Sequence, residues 1–280
     1  MKTLVRVTLL AAAAALSVGA VAQTAKPAAA KHDHNAMLLD QAIAGAHRSA
    51  ANKARDPYRH PKETLAFFGI KPNMTVVEIA PGGGWYTEIL GPYLANGGTL
   101  YAAAANPAAS ERAAKSVADF KTKLAATPGT AKVQVTSFAK DHYANLAPAG
   151  SADAVLTFRN VHNWYSGGFA PDAFKAFYAA LKPGGTLGVV EHRLPEARPD
   201  EQQKTSGYMK RSEVVKLAEA AGFKLAGESE VNANPKDTAD YPDGVWTLPP
   251  NYRLGDVDRA KYAAIGESDR MTLKFVKPAR

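Results

Sequence analysis

The sequence predicts an α/β domain built on a mostly parallel sheet, and three observations carry that reading. Residues 75–90, TVVEIAPGGGWYTEIL, pass from a short β-branched run through three glycines into residues with helical spacing. That is the opening of a nucleotide-binding βαβ unit, because glycines tolerate positive φ and let a ligand approach the backbone beside a helix start. Downstream, short apolar runs alternate with helical patterns as far as residue 276, which implies parallel strands joined by right-handed crossovers. Finally, the 280-residue chain has no cysteine, so its core must form by burial alone, without disulfides or thiolate metal sites.

The elements follow in order. Lys2 and Arg6 precede an apolar run that ends in Ala20-Val21-Ala22 before Gln23; residues 1–22 therefore read as a cleavable signal peptide, and the mature protein is expected to be periplasmic or secreted. Residues 23–34, QTAKPAAAKHDH, are alanine-rich and aperiodic and read as a flexible linker. Residues 35–280 form one expected domain: a helical cap over 35–70, a core over 71–193, and a C-terminal part over 194–280 with a lid at 232–270. Within the cap, Leu39, Ile43, Ala46 and Ala50 recur at helical spacing to near Lys53. The connector Arg55-Asp56-Pro57-Tyr58-Arg59-His60-Pro61 is dense in polar donors, and a helix over 62–68 stops at Gly69.

Strands are expected at 75–79, 98–104, 132–136, 152–158, 186–191, 223–231 and 271–276, with helices at 108–125, 172–181 and from Ser212 to 221. Ser212 has the chemistry of an N-cap. The lid carries Trp246, Leu248 and Tyr252, too apolar for a free loop, so it is expected to pack down over a pocket.

Glu78-x-Ala80-x-Gly82-x-Gly84 resembles motif I of the class I S-adenosylmethionine-dependent methyltransferases, and Leu181-Lys182-Pro183-Gly184-Gly185 resembles a turn of the same superfamily. The resemblance extends from about Asp56 to the C-terminus and is narrower to exported bacterial proteins known as predicted methyltransferases. It implies a Rossmann-like fold: a seven-stranded sheet with an antiparallel last strand and helices on both faces. It also implies S-adenosylmethionine as cofactor, a connector folded over the cofactor pocket, and methyl transfer to a small-molecule substrate.

In an open parallel sheet the ligand lies at the carboxyl ends of the strands where strand order reverses. Three loops meet there, after strands one, four and five. The strand order that the resemblance implies sets strand four beside one and five beside four, so at about 4.8 Å per strand His162 and His192 are expected within roughly 10 Å of each other. Candidate catalytic residues are His162, Glu191 and His192. His162 or Glu191 is suited to act as general base, or His162 merely hydrogen-bonds a neighbour. The two histidines with Glu191 also have the composition of a two-histidine, one-carboxylate metal set. Candidate cofactor contacts are Glu78, Ala80, Gly82, Gly83, Gly84, Trp85, Asn106, Arg159 and Asn160. Glu78 holds either the glycine loop or the cofactor's amino group; Trp85 either packs or touches cofactor. Candidate substrate contacts are Tyr58, Trp164, Arg193, Asn232 and Asn234.

One departure from the resembled pattern is plain. The superfamily usually ends strand two with an acid that holds both ribose hydroxyls, whereas this chain has Ala102-Ala103-Ala104-Ala105, with Asn106 the nearest polar side chain. Restoring an acid at Ala104 is expected to strengthen cofactor binding. The alternative to an enzyme is a methyltransferase-like periplasmic protein that has lost catalysis and binds a small molecule or metal. The formal charge is +8, and loss of Lys2 and Arg6 with the signal leaves +6. The basic residues are scattered among acids, so nucleic acid is not an expected partner, nor is membrane insertion after signal cleavage.

Overall fold

In the computed structural model of the protein, residues 28–279 are described; the expected signal peptide and the first part of the expected linker lie outside the described residues. Among the described residues four helices precede the sheet: α1 (Ala28–Ala44), α2 (Ala50–Lys53), α3 (Asp56–Arg59) and α4 (Pro61–Phe68). Two expectations are corrected here. Residues 28–34 are helical rather than a linker, and the helix expected to run to Lys53 breaks after Ala44. The chain restarts at α2 because the Ser49 hydroxyl caps it, accepting from Asn52 N. Gly69, at φ 77°, ends α4 as its spacing predicts.

The sheet has the order β3-β2-β1-β4-β5-β8-β7. Its strands are β1 (Thr75–Ile79), β2 (Thr99–Ala104), β3 (Gln134–Ser137), β4 (Ala152–Phe158), β5 (Leu181–Leu194), β6 (Met209–Lys210), β7 (Lys224–Ser229) and β8 (Arg270–Val276). Strands β1 to β5 pair parallel, β8 runs antiparallel between β5 and β7, and the two-residue β6 adds to β5. This is the Rossmann-like methyltransferase fold, with β6 an addition that the sequence pattern is too short to show.

Between the strands lie α5 (Thr87–Leu94), α6 (Glu111–Ala126), α7 (Val161–Ser166), α8 (Ala170–Ala180), α9 (Gln202–Thr205), α10 (Arg211–Ala220) and α11 (Arg259–Ile265). The period-two alternation of the strands sends successive side chains to opposite layers. Val77, Val155 and Leu187 meet Phe174 and Phe177 of α8 and Val214 of α10; Val76 and Leu156 meet Leu65 and Phe68 of α4 and Ile89 and Leu90 of α5. Each such fully buried side chain contributes about 1.5–3 kcal/mol. A third cluster seats α6 on β2 through Phe120, Leu124 and Ala104.

Ser212 does not cap α10: the helix begins one residue earlier, and the Ser212 N–H and hydroxyl both donate to Glu196. The lid leaves after β7 and returns at β8, at the sheet edge where the glycine loop lies, and carries α11 together with a short 3₁₀ turn, Gly244–Thr247.

Candidate functional site

A cavity of about 420 Å³ opens at the carboxyl ends of β1, β4 and β5. It sits where strand order reverses, β1 leading outward to β2 and β4 to β5. The connector around α2 and α3 and the lid close its top. The backbone turns sharply at both central strands. Ala80 after β1 has φ 49° and Arg159 after β4 has φ 62°, left-handed positions that cost a non-glycine residue about 1–2 kcal/mol each. Both are held by the neighbouring strand, Ala80 N donating to Ala103 O and Arg159 N to Val190 O.

The glycine loop follows. Gly82 has φ 57°, and a Cβ added at Gly82 or Gly83 would meet nothing within 4 Å. Among the described residues neither of their N–H groups finds an acceptor, so the loop offers open space and two free donors. Gly84 does different work: a Cβ there would come to 3.0 Å from the Phe120 ring, so this glycine admits α6 rather than a ligand. Trp85 lines the cavity, donates its indole N–H to Asn52 O, and lies between the guanidinium groups of Arg48 and Arg59, 5.0 and 4.6 Å from its ring. These contacts fix the connector over the glycine loop.

The two histidines come together with ring centroids 5.4 Å apart. Glu191 is fully buried. It accepts from the backbone N–H groups of Val161, His162 and His192, and its Oε1 lies 2.9 Å from His162 Nδ1. That contact assigns the proton to His162 Nδ1 and leaves Nε2 as a free lone pair. His192 Nδ1 lies 2.5 Å from the Ser268 hydroxyl, which accepts from Arg270 Nε and so turns its own proton toward His192. Burial, then the nearby His162 and Arg270, holds His192 well below the ordinary histidine range. It stands as a neutral N–H donor at Nε2. Ligand atoms of His162, Glu191 and His192 lie within 4.8 Å of one another. The Glu191 oxygens, however, already accept from three backbone N–H groups and one imidazole, so its chemistry here is that of an orienting carboxylate.

Arginines dominate the rest of the wall. Arg55, Arg59, Arg159 and Arg270 line the cavity with Glu78 and Glu267. Glu267 binds Arg55 at 2.5 Å, pairs with Arg59 at 3.5 Å, and makes a short contact with Arg270. Burial opposes its charge, but Arg270, then Arg55 and Arg59, pull its carboxyl down to about 2. Glu78, on β1, is pushed up to about 7 by burial, against the pull of its 2.6 Å hydrogen bond from the Thr87 hydroxyl and of the Arg159 charge.

Of the residues singled out from sequence, Glu78, Ala80, Gly82, Gly83, Trp85, Arg159, Asn160, His162 and His192 line the cavity. Others do not. Asn106 is spent on Ala108 N as the cap of a 3₁₀ turn, Pro107–Ala109. Trp164 packs into the core against Phe138 and Phe177. Arg193 is held by Asp269 and Glu230. Asn232 binds Thr64 and Thr272, Asn234 binds the carbonyls of Ile265 and Glu267, and Tyr58 turns an exposed ring outward while its carbonyl accepts from Arg270. Asn52 also lines the cavity and is not expected there from sequence, since it precedes the connector; Arg55 and Arg59 belong to the donor-dense connector expected over the pocket, and Glu267, Ser268 and Arg270 to the lid expected to pack down on it.

No family model matches the chain, and no curated protein is similar to it in sequence. Solved structures are similar in fold. A SAM-dependent methyltransferase from Aquifex aeolicus is 17% identical, with a TM-score of 0.52 over 80% of this chain and 93% of that one. The [4+2]-cyclase SpnF is 16% identical, TM-score 0.54, over 90% and 96%. Phosphoethanolamine N-methyltransferase 2 of Haemonchus contortus, in complex with S-adenosyl-L-methionine, is 16% identical, TM-score 0.51, over 79% of this chain and 53% of that one. At such identities the likeness defines the fold, which hosts more than one chemistry, and the site must argue for the reaction.

The site fits an adenosyl cofactor at one end. The open glycine loop with its free N–H groups, Glu78 and Asn160 suit the amino-acid half of S-adenosylmethionine. At the carboxyl end of β2 Ala104 is buried against α6 and Asn106 is engaged in its turn, so that strand end would offer a ribose diol no carboxylate among its own residues.

Proposed function

We propose that the protein is an S-adenosylmethionine-dependent methyltransferase acting on a small molecule in the cell envelope. One observation carries the reading: a histidine oriented by a buried glutamate lines the same cavity as an open glycine loop, at the reversal point of a methyltransferase-type sheet. The bound cofactor supplies an electrophilic methyl group. Gly82, Gly83 and Glu78 hold its amino-acid end; His162 Nε2 takes the proton from the accepting oxygen or nitrogen of the substrate. Glu191 keeps the imidazole in the Nδ1–H tautomer and stabilises the imidazolium that forms, a contribution of about 10²–10⁴-fold for a well-placed general base. The neutral N–H of His192 positions the accepting group. Trp246 of the lid, its ring edge-on to His162 at 6.1 Å, excludes water.

The test is titration of S-adenosylmethionine into the mature protein by calorimetry. Saturable binding is expected, abolished in Gly82→Val because a side chain at φ 57° would both strain the loop and fill the space beside it. Unchanged affinity in a folded Gly82→Val protein would place the cofactor elsewhere.

A second reading, a non-catalytic binding protein of the same fold, is favoured by the missing ribose partner. It predicts no cofactor binding by a folded wild-type protein.

The envelope location rests on the signal sequence and on the resemblance to exported bacterial proteins. Mass spectrometry of the periplasmic fraction should find Gln23 at the N-terminus; a cytoplasmic chain still carrying Met1 would refute export.

A further inference from the structure

The charge of the cavity does not balance. Four arginines face two carboxylates, and Glu267 alone serves three of the four. Arg59 is 3% exposed and makes no hydrogen bond through its guanidinium: its Nε is buried without a partner, its approach to Glu267 is a 3.5 Å ion-pair distance, and its face lies on Trp85. Arg159, held at its strained φ after β4, has neither a side-chain hydrogen bond nor an ion pair among the described residues. Glu78 lies in the same wall, but its carboxylate accepts from the Thr87 hydroxyl and makes no ion pair with Arg159. A buried guanidinium nitrogen without a partner is costly; Arg59 carries one, and half-buried Arg159 lines the same cavity with its guanidinium unpaired among the described residues, so the two cations suit an anion that enters it. Planar guanidinium forks match the paired oxygens of phosphoryl and carboxylate groups.

We infer that Arg59, Arg159 and Arg270 form an oxyanion subsite that takes the dianionic end of the substrate, a phosphoryl group or a pair of carboxylates. S-adenosylmethionine is the poorer match: its single carboxylate is accompanied by its own ammonium, and its sulfonium adds a positive charge. A dianion, by contrast, offsets the arginine charge that Glu267 and Glu78 leave uncompensated. The subsite shares the cavity with His162, so the substrate carries its anion at one end and its methyl-accepting oxygen or nitrogen at the other, within the size that a cavity of about 420 Å³ admits. As a statement about substrate this rests on the methyltransferase reading, although the anion site stands without it.

The experiment is a binding and thermal-shift series on the mature protein with inorganic phosphate, and with acetate at matched ionic strength. Phosphate is expected to bind and raise Tm well beyond acetate. Arg159→Met and Arg59→Met are each expected to weaken phosphate binding by roughly tenfold or more. Without phosphate, Arg159→Met should be at least as stable as wild type, because it removes a half-buried guanidinium that no hydrogen bond or ion pair holds among the described residues; a merely structural arginine would give the opposite result. Should Arg59→Met fail to fold, Arg159→Met and the phosphate-against-acetate contrast still decide. Phosphate no better than acetate, or undiminished in folded Arg159→Met, overturns the inference. Adding S-adenosylmethionine separates the two readings. Simultaneous binding of both supports both. Phosphate binding without cofactor binding upholds the subsite and removes the methyltransferase reading. Mutual displacement means that the arginines hold the cofactor's own carboxylate, and overturns the subsite.

Discussion

Glu78 and Glu267 are both almost fully buried in the same cavity wall, yet their electrostatics run in opposite directions. Glu267 has three arginines, which hold its carboxyl at about 2, below the 4.5 of an unperturbed glutamate. Its stabilisation is complete above pH 4.5 and is lost as pH falls toward about 2. Glu78 has one hydroxyl donor, and burial wins, raising it to about 7. Its contribution is complete below pH 4.5 and is lost as pH rises through about 7. That shift corresponds to about 3 kcal/mol at most, at about 1.4 kcal/mol per unit. Glu78→Gln keeps an acceptor for Thr87 and removes the charge, so it should match wild type at pH 4.5 and be the more stable protein at pH 7.5. Urea unfolding at the two pH values measures this, and a variant less stable at pH 7.5 would show that the charge is compensated. The strand-end residues of the site were legible in sequence because the period of a strand and the position of its end can be read from apolar runs. For Arg59 and Arg270 only the segments were legible, the connector and the lid expected over the pocket; that both side chains converge on Glu267 was not, since it depends on how the two segments meet, which no local pattern records.

At the level of elements, α7 explains one success and one failure together. The segment after strand four is expected from sequence as a loop, with His162 and Trp164 both candidates for the site; as a helix they lie two positions and about 200° apart. His162 therefore faces the cavity while Trp164 enters the core against Phe138 and Phe177. The lid provides the comparison. Trp246, half-buried, covers His162 and is itself covered by the Arg253 guanidinium at 4.6 Å. Trp164→Ala should cost about 3–5 kcal/mol of stability, as for a large aromatic removed from a packed core. Trp246→Ala should cost less than half as much while weakening ligand retention under the lid. Equal losses for the two, measured by urea unfolding, would mean that the lid is part of the folding core. The lid's apolar residues announced its packing, whereas Arg193 misled because Asp269 and Glu230, its partners, lie far away in sequence and hold it out of the cavity.

Across the whole molecule, strand order decides which residues can meet a ligand, and β2 shows how strongly packing then restricts them. The alternation of runs announced β1 to β5 as parallel strands, and the resemblance to the methyltransferase superfamily supplied the antiparallel last strand and the strand order that puts the cavity between β1 and β4. Neither announced that the alanines ending β2 serve two masters. Ala102 and Ala104 are buried beneath Val117, Phe120 and Leu124 of α6, while Ala105 is exposed at the carboxyl end of the strand. The expectation that Ala104→Asp strengthens cofactor binding thus needs correction: a carboxylate there would be driven into an apolar layer, at a cost of several kcal/mol or a displaced α6. Ala105→Asp places the same charge in solvent, where substitutions usually change stability by no more than about 0.5 kcal/mol. If the ribose of an adenosyl cofactor lies at the end of β2, this variant gains charge-assisted bonds of about 1.5–3 kcal/mol, roughly tenfold or more in affinity. Calorimetry with S-adenosylmethionine on wild type, Ala104→Asp and Ala105→Asp, each checked for folding by circular dichroism, distinguishes the cases. The expected order is tightest for Ala105→Asp, then wild type, with Ala104→Asp weakest and least stable. Equal affinity in wild type and Ala105→Asp would mean that the diol is held elsewhere and that the missing acid was never needed in this pocket.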